Sequence, residues 1–435
     1  MATMLRIEQQ QIMLPSARFV PAESRPLPIW QLALGWMLLV PMLYVAGDGA
    51  FIPRSGDSSY AATVSQGTSA AHKIGLVLFS LVCFLLILFR SSEVVALGRR
   101  VKLMFAFPLL ALLSCTWSAA PSHSILSGLV ILVLTAFAIY VSSQLSFERQ
   151  FELLMLVGAV VLPASIALAV LIPSMGTEST AWRGILVSKQ NCSAVCTLFL
   201  LTALHWKCSG IYQKMFRALY ISMCAFLIVM SQSRTGWILA LIALLLTLAI
   251  WLLQRLPTKQ ALAMLLLGLT GAAIGAYGIY SYSSTILTFM GKDSTLSQRT
   301  IIWTAVWQAI LQHPILGYGF ASFWSGLYGP SQNVTLVAGW GLAQAQDGFL
   351  DVWLGTGILG IAVIAAMAGQ AMRNAARCAY SRSHQTYVRW CVVVIICILL
   401  FNIGESSLGL FRVTWFLFLL ACIGLSQAAL RTQQI

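Results

Sequence analysis

Charge is scarce in this 435-residue chain: Asp, Glu, Lys and Arg together make up 9%, against about 25% in an ordinary soluble domain. With 59% hydrophobic residues beside it, that scarcity excludes a water-soluble globule. Acid is scarcer than base, 12 Asp and Glu against 26 Lys and Arg, which leaves a formal net charge of +14. In a soluble domain such a surplus would indicate a nucleic acid or an acidic surface. Here the bases are scattered between apolar runs, so no nucleic-acid partner is expected. Histidine is limited to five residues, and His72, His123, His205, His313 and His384 all fall at the ends of apolar runs or between them, not where a buried proton relay would sit. The ten cysteines form no CxxC pair and no zinc-spaced His/Cys cluster. They read as small core residues, with no metal expected. No glycine-rich phosphate loop occurs, so neither ATP nor a sugar nucleotide is expected as cofactor. The energy for any chemistry would have to arrive in an activated lipid or a gradient. There is also no internal repeat, and the second half is no copy of the first, which argues against a repeat-built transporter.

What the chain has is apolar length. A bilayer span needs about 20 mainly apolar residues, and about twelve such runs occur, near 29–46, 72–89, 103–118, 125–142, 151–172, 190–205, 218–231, 236–253, 261–280, 348–366, 389–404 and 411–428. The expected fold is therefore an all-α polytopic membrane protein. It divides into a tail (1–28), five spans (29–172), four spans with an outer loop (173–280), a long loop (281–347) and three final spans with a short tail (348–435). The first tail lacks the pattern of a signal peptide and reads as cytoplasmic.

Orientation follows from the alternate loops: 18 of the 26 Lys and Arg residues fall on one set and 8 on the other. The richer set faces the cytoplasm by the positive-inside rule, with both termini. The bases left outside are then anomalous, and Arg183, Lys189, Arg234 and Arg299 are among them. The long outer loop, 281–347, carries its own predicted amphipathic helix. Ser294 or Thr295 can cap it, Trp303, Trp307, Ile310 and Leu311 share one face, and His313-Pro314 ends it. Such a helix would lie in the membrane interface.

Arg234 is set in Ser231-Gln232-Ser233-Arg234-Thr235-Gly236, a polar string between two apolar runs, with no acid within a helical turn. An arginine at the hydrocarbon boundary is costly unless paired or facing water, and a bound anion accounts for it. Arg299 opposes the macrodipole at a helix start, a cost that a bound anion would also offset. Arg183, Lys189 and Asn191 surround the start of the sixth span. They read either as interfacial anchors or as a cradle for phosphate oxygens. Of the few outer acids, Asp347 stands at the mouth of the tenth span and Asp351 one turn inside it, either a functional acid or a structural partner for Arg299 or Arg412. Glu405 ends the eleventh span.

Four segments together resemble the O-antigen ligase and Wzy-type polysaccharide polymerase superfamily. They are Trp182-Arg183-Gly184 through Lys189-Gln190-Asn191; Ser231 through Gly236; Ser297-Gln298-Arg299 through Trp303 with His313-Pro314-Ile315-Leu316-Gly317-Tyr318-Gly319; and Asp347-Gly348-Phe349-Leu350-Asp351-Val352-Trp353-Leu354-Gly355 through Gly360. Their order and spacing, with Glu405-Ser406 beyond, carry the resemblance from Trp182 to Trp415. It implies an inner-membrane glycosyltransferase that moves a glycan from an undecaprenyl diphosphate carrier to an acceptor sugar hydroxyl at the periplasmic face, without metal or nucleotide. Implied partners are the carrier-linked donor, the glycan acceptor, membrane lipids, and flippase and chain-length or export proteins.

Arg234 and Arg299 are then expected to hold the diphosphate, with Arg183, Lys189 and Asn191 in the same cavity and Asp351 and Glu405 on the substrate. Many relatives have a His-x-His-Asn-Gly motif where this chain has Gln344-Ala345-Gln346-Asp347-Gly348. Gln346 cannot take up the histidine's proton, and three readings stay open. Asp347 is the base beside Arg299 and Gln346; departure of the diphosphate needs no strong base; or the enzyme is a slow or specialised member. The run from Gly348 to Gly355 and the Glu405-Ser406 element resemble exopolysaccharide polymerases more than ligases that join polymer to lipid A core. A transporter is the competing class, but its ionisable groups would sit near mid-bilayer. A structural subunit would leave Arg234 unexplained.

Overall fold

A computed structural model describes residues 29–47, 70–257, 299–324, 329–339, 341–378 and 384–432, with isolated positions between 260 and 271. The N-terminal tail, the run at 261–280 and the cap expected at Ser294 or Thr295 lie outside the described residues. Each of the other expected runs falls on helix. In order these are α1 (Ile29–Ala46), α2 (Ala70–Phe89), α3 (Ser91–Arg100), α4 (Ala106–Leu113), α5 (Pro121–Gln144), α6 (Phe147–Leu171), α7 (Lys189–His205), α8 (Ile211–Met230) and α9 (Arg234–Leu253). After the long loop begins come α10 (Arg299–Gln312), α11 (Gln332–Ala338), α12 (Gly348–Cys378), α13 (Gln385–Phe401) and α14 (Val413–Thr432).

Among the described residues, six helices are long and apolar enough to cross a membrane alone: α5, α6, α8, α9, α12 and α14. A seventh arises if α2 and α3, bent by 95° at their junction, count as one broken span. The described runs thus lie on helices, but only six or seven of these have the length and apolarity of a span, short of the expected twelve. The run at 103–118 is a short helical stretch, Lys102–Thr116, and α13 has 17 residues. Two boundaries move. α12 runs 31 residues to Cys378 and carries Arg373 and Arg377 on its last turns, while Arg389 lies inside α13 rather than in the loop before it. The all-α expectation also departs locally, because Thr177–Glu178 and Ala181–Trp182 pair as a two-residue antiparallel hairpin.

α14 is the axis of the bundle, buried along nearly its whole length against α5, α12 and α13. Since lipid tails are as apolar as leucine, polar cross-links rather than hydrophobicity alone fix such packing. Asn374 Nδ2 donates to Ser426 Oγ at 3.1 Å, and Gln427 Nε2 to the Ser142 carbonyl at 2.9 Å. The Tyr387 hydroxyl reaches Gln150 Oε1 at 2.5 Å. By contrast α2, α8 and α9 expose apolar faces, with Val77, Phe84, Leu219, Val229, Leu241 and Leu245 all outward. Eight of the ten cysteines are buried thiols and none is in a disulfide.

The described part of the long loop has a small core of its own, built from Ile302, Val306 and Ile310 of α10 with Phe323, Val334, Leu342, Ala345 and Leu354. This corrects the expected amphipathic face. Trp307 and Leu311 stand exposed, and the buried stripe of α10 is Ile302, Val306, Ala309 and Ile310. Apolar residues surround the helix, so the tryptophans do not mark its inner side.

The loop is locked to the bundle by a break in α12. Gly357, at φ 67° and ψ −167°, holds a conformation open only to glycine. In a regular helix the Ile358 amide would donate to the Leu354 carbonyl. Instead it donates to the Pro314 carbonyl at 3.0 Å, and the freed Leu354 carbonyl accepts from the Tyr318 amide at 2.7 Å. One intrahelical bond is exchanged for two bonds to the His313–Tyr318 turn, and the Trp353 indole adds a third to Pro314 at 2.9 Å. On its other side the turn meets the N-terminal half. Trp117 Nε1 donates to Leu316 at 3.0 Å, Phe320 N donates to Ser114 Oγ at 2.8 Å, and Ser124 Oγ donates to Phe320 at 2.7 Å.

Candidate active site

Helices α7, α9 and α12 all begin at one end of the bundle, each with a capping side chain. Ser188 accepts from the Asn191 amide at 3.2 Å and Ser233 from the Gly236 amide at 3.2 Å. Asp347 Oδ1 accepts from the amides of Phe349 and Leu350 at 2.9 and 3.0 Å. These are the residue types that satisfy the orphan amides of a first helical turn. The caps leave three positive helix ends side by side.

Direct contacts tie these starts to one another. The hairpin reaches the α8–α9 turn through Thr180 Oγ1, which donates at 3.2 Å to Oε1 of Gln232, a residue whose own φ is 49°. Glu178 Oε2 accepts from the Lys189 amide at 3.3 Å. Gly348 N donates to the Asn402 carbonyl at 2.7 Å and the Glu405 carbonyl at 3.1 Å, so the α13–α14 connection is pinned to the mouth of α12. That approach requires glycine, because a Cβ on residue 348 would fall 2.2 Å from Asn402 Oδ1. Asn402 in turn shapes its own loop, its Oδ1 accepting from the amides of Ser407 and Leu408 at 2.8 and 3.0 Å.

Arg299 stands at the centre. Its Nε donates to Gln346 Oε1 at 3.0 Å and its Nη2 to Glu405 Oε1 at 3.2 Å. Gln346 is presented by a left-handed backbone, φ 55°, and the neighbouring Ala345 carbonyl accepts from Trp303 Nε1 at 3.0 Å. Arg299 and Trp303, one turn apart, therefore both grip the 345–346 segment. Nη1 of Arg299 makes no hydrogen bond among the described residues and passes Gly404, where a Cβ would lie 3.4 Å from it and 3.6 Å from Thr235 Cγ2. Thr235, and so the start of α9 beside Arg234, is thereby a close neighbour of Arg299.

Glu405 is buried, 6% exposed, and burial raises its carboxyl to about 7 even though Arg299 and Arg412 pull it down. Glu178 opposes them from across the site. Asp347 is half-buried and its carboxyl is also raised by burial, against the two helix amides and Arg299. Its Oδ1 is taken by the cap, while Oδ2 carries no hydrogen bond among the described residues.

Asp351 is not a partner of Arg299 or Arg412. Its carboxylate accepts from Trp324 Nε1 at 2.8 Å, from the Ala345 amide at 3.0 Å, and from Ser406 Oγ. Three separate segments are joined by this one acid.

The remaining candidates sit around this core. Arg234 is exposed at the first turn of α9, and among the described residues its side chain has no hydrogen bond or ion pair. Lys189, half-buried, begins α7, and Asn191, two residues on, is buried. Arg183 turns partly inward, with Nε donating to the Met175 carbonyl at 2.9 Å. Among the described residues no three His, Cys, Asp or Glu side chains gather to hold a metal ion. Three residues that the sequence did not single out support the site, Trp324, Asn402 and Gly404, and Ser406, read there only as part of a resembling pair with Glu405, donates to Asp351. The buried polar run Asn402–Ser407 between two apolar spans was the available signal.

The sequence model of the O-antigen ligase family matches residues 219–365. The match covers less than half of the chain; it marks that stretch as similar to the O-antigen ligase family, in keeping with the helices long and apolar enough to cross a membrane. The match contains Arg234, Arg299, Gln346, Asp347 and Asp351; Arg183, Lys189, Asn191 and Glu405 lie outside it, and of these Glu405 contacts Arg299 directly. No curated protein matches the chain.

Proposed function

We propose that the protein is a bacterial inner-membrane glycosyltransferase that transfers a glycan from undecaprenyl diphosphate to an acceptor sugar hydroxyl at the periplasmic face, and that it polymerises exopolysaccharide or O-antigen repeat units. The observation that carries this reading is the held guanidinium of Arg299. Two of its edges are fixed by Gln346 and Glu405, and Nη1 is left to engage a ligand beside Arg234.

Negative charge grows on the diphosphate as the glycosyl bond breaks. A guanidinium already oriented at that position stabilises the departing oxygen without reorganising, an effect worth about 3 kcal/mol per donor. Arg234 and Lys189 add positive charge at two helix starts, and Arg183 and Asn191 line the approach. The acceptor hydroxyl must surrender a proton as it attacks. Asp347 Oδ2 and Glu405 are the two carboxylates able to take it, each with its affinity for a proton raised by burial. Gln346 orients Arg299 rather than moving a proton, and Asp351 braces the turn that presents Gln346.

A second reading, ligation of finished polymer to lipid A core, is favoured by the description of the matching family. Both are tested by incubating the purified protein with a carrier-linked repeat unit, with and without a core acceptor. Longer carrier-linked product from wild type and none from Arg299→Ala supports polymerisation. Product on the core acceptor alone supports ligation, and turnover undiminished in Arg299→Ala excludes both as drawn.

A further inference from the structure

At the opposite end of the bundle, where α7 and α9 finish, lies a cavity of about 570 Å³ with no acidic lining residue. Lys207, Arg217 and Arg389 enter it together, from the α7–α8 loop, α8 and α13. Arg389 Nε is buried and has no hydrogen-bond partner. A buried, unsatisfied guanidinium donor is costly, here one turn into an apolar helix. Arg217 spends one donor on the Trp206 carbonyl at 3.3 Å and keeps the others.

His205 contributes the reverse polarity. Its Nδ1 lies 2.8 Å from the Leu201 carbonyl, which can only accept, so Nδ1 carries the proton. The buried Nε2, also without a partner, is then an acceptor. The wall beside these groups is apolar and faces outward: Leu248 is 51% exposed, and the Trp251 ring is covered by the Arg255 guanidinium at 3.9 Å.

We propose that this cavity binds the headgroup of an anionic phospholipid. Its phosphate lies among Arg389, Arg217 and Lys207, a headgroup hydroxyl donates to His205 Nε2, and an acyl chain follows Leu248 along α9. Positive donors alone would suit any phosphate. The adjoining apolar, outward-facing wall selects an amphiphile. The site is separate from the Arg299 cluster and does not depend on the transferase reading.

The test is lipid retention and thermal unfolding of the purified full chain in detergent, with phosphatidylglycerol, phosphatidylcholine of the same chains, or inorganic phosphate added. Phosphatidylglycerol should be retained and raise the unfolding temperature, with little effect from the other two. Arg389→Gln and Arg217→Gln should each weaken retention about fivefold, the usual effect of one basic residue at an anionic membrane surface. Arg100→Gln, remote from the cavity, should leave it unchanged. Arg389→Lys should recover most of the loss. If Arg389→Gln does not fold, Lys207→Gln and Arg217→Gln carry the comparison. Equal retention of the two lipids, or retention indifferent to these substitutions, overturns the proposal. A full shift from inorganic phosphate alone overturns the lipid assignment.

Discussion

Arg299 and Glu405, 106 residues apart in the chain, meet as an ion pair at 3.2 Å between Nη2 and Oε1. Neither partner is free to drift. Arg299 is held again by Gln346, and the backbone carbonyl of Glu405 accepts from Gly348 at the mouth of α12. The pair therefore joins α10, α12 and the α13–α14 connection in one unit.

Its ionisation sets a pH dependence. The Glu405 carboxyl is raised from 4.5 to about 7 by burial. The folded state holds that proton more tightly than the unfolded chain. The protonated form thus stabilises the fold below the unfolded value, and that stabilisation is lost as pH rises through about 7. The ion pair forms over the same rise. Turnover should increase through pH 7 while the unfolding temperature falls, and Glu405→Gln should flatten both curves. A rate profile with the same inflection in the variant would assign it elsewhere.

Gln346 tests orientation apart from charge. A hydrogen bond to a charged group is worth about 1.5–3 kcal/mol, so Gln346→Ala should reduce kcat by roughly ten- to a hundredfold with little change in protein yield. Gln346→Glu keeps an acceptor for Arg299 Nε and should retain more activity than alanine. An alanine variant with unchanged kcat and only a higher KM would make Gln346 a binding residue instead.

The helical frame was legible because runs of apolar residues state their own length, and Arg234 stood out because an outer-face arginine at the hydrocarbon boundary is costly without a partner or water. Glu405 and Asp351 were visible as acids but not by role. The donors that claim Asp351 are an indole at Trp324, a hydroxyl at Ser406 and the Ala345 amide, brought together only by folding. Sequence offered Arg299 or Arg412 because opposite charge is the partnership that composition displays. The break in α12 was hidden for a different reason. A glycine inside an apolar run is common in membrane helices, and nothing local marks Gly357 as the one whose hydrogen bonds are exchanged.

Asp347 serves two functions that two substitutions separate. Asp347→Asn keeps an oxygen to cap α12 but cannot take a proton, so it should leave the unfolding temperature near wild type and lower turnover. Asp347→Ala removes the cap too and should cost about 1 kcal/mol of stability besides. Full turnover in the asparagine variant, with insertion unchanged, would rule Asp347 out as the base and leave Glu405.

Gly357→Ala should damage the fold rather than the chemistry. A Cβ there would lie 1.9 Å from the Ile315 carbonyl, in a conformation that L-residues avoid. Strain and displaced backbone together should cost about 3 kcal/mol or more. Loss of monodisperse protein, or a large fall in unfolding temperature, is the expected result. Substitution at Gly369, whose Cβ would meet nothing within 4 Å, is the control.

The last prediction concerns Arg234 and Arg299 jointly. Arg234 has no partner among the described residues, and Thr235 next to it approaches the same Gly404 as Arg299 Nη1. If the two guanidinium groups hold one diphosphate, each substitution to alanine removes a contact from the same developing charge, at about a hundredfold or more in turnover apiece. Groups acting on a shared ligand are not additive. Once one contact is gone the diphosphate is poorly placed, and the second should cost less. The double variant should therefore retain more activity than the product of the two single losses allows. Kinetics of all four proteins on one carrier-linked glycan measure the coupling. Strict additivity would place the two arginines on different ligands, and would remove Arg234 from the diphosphate site.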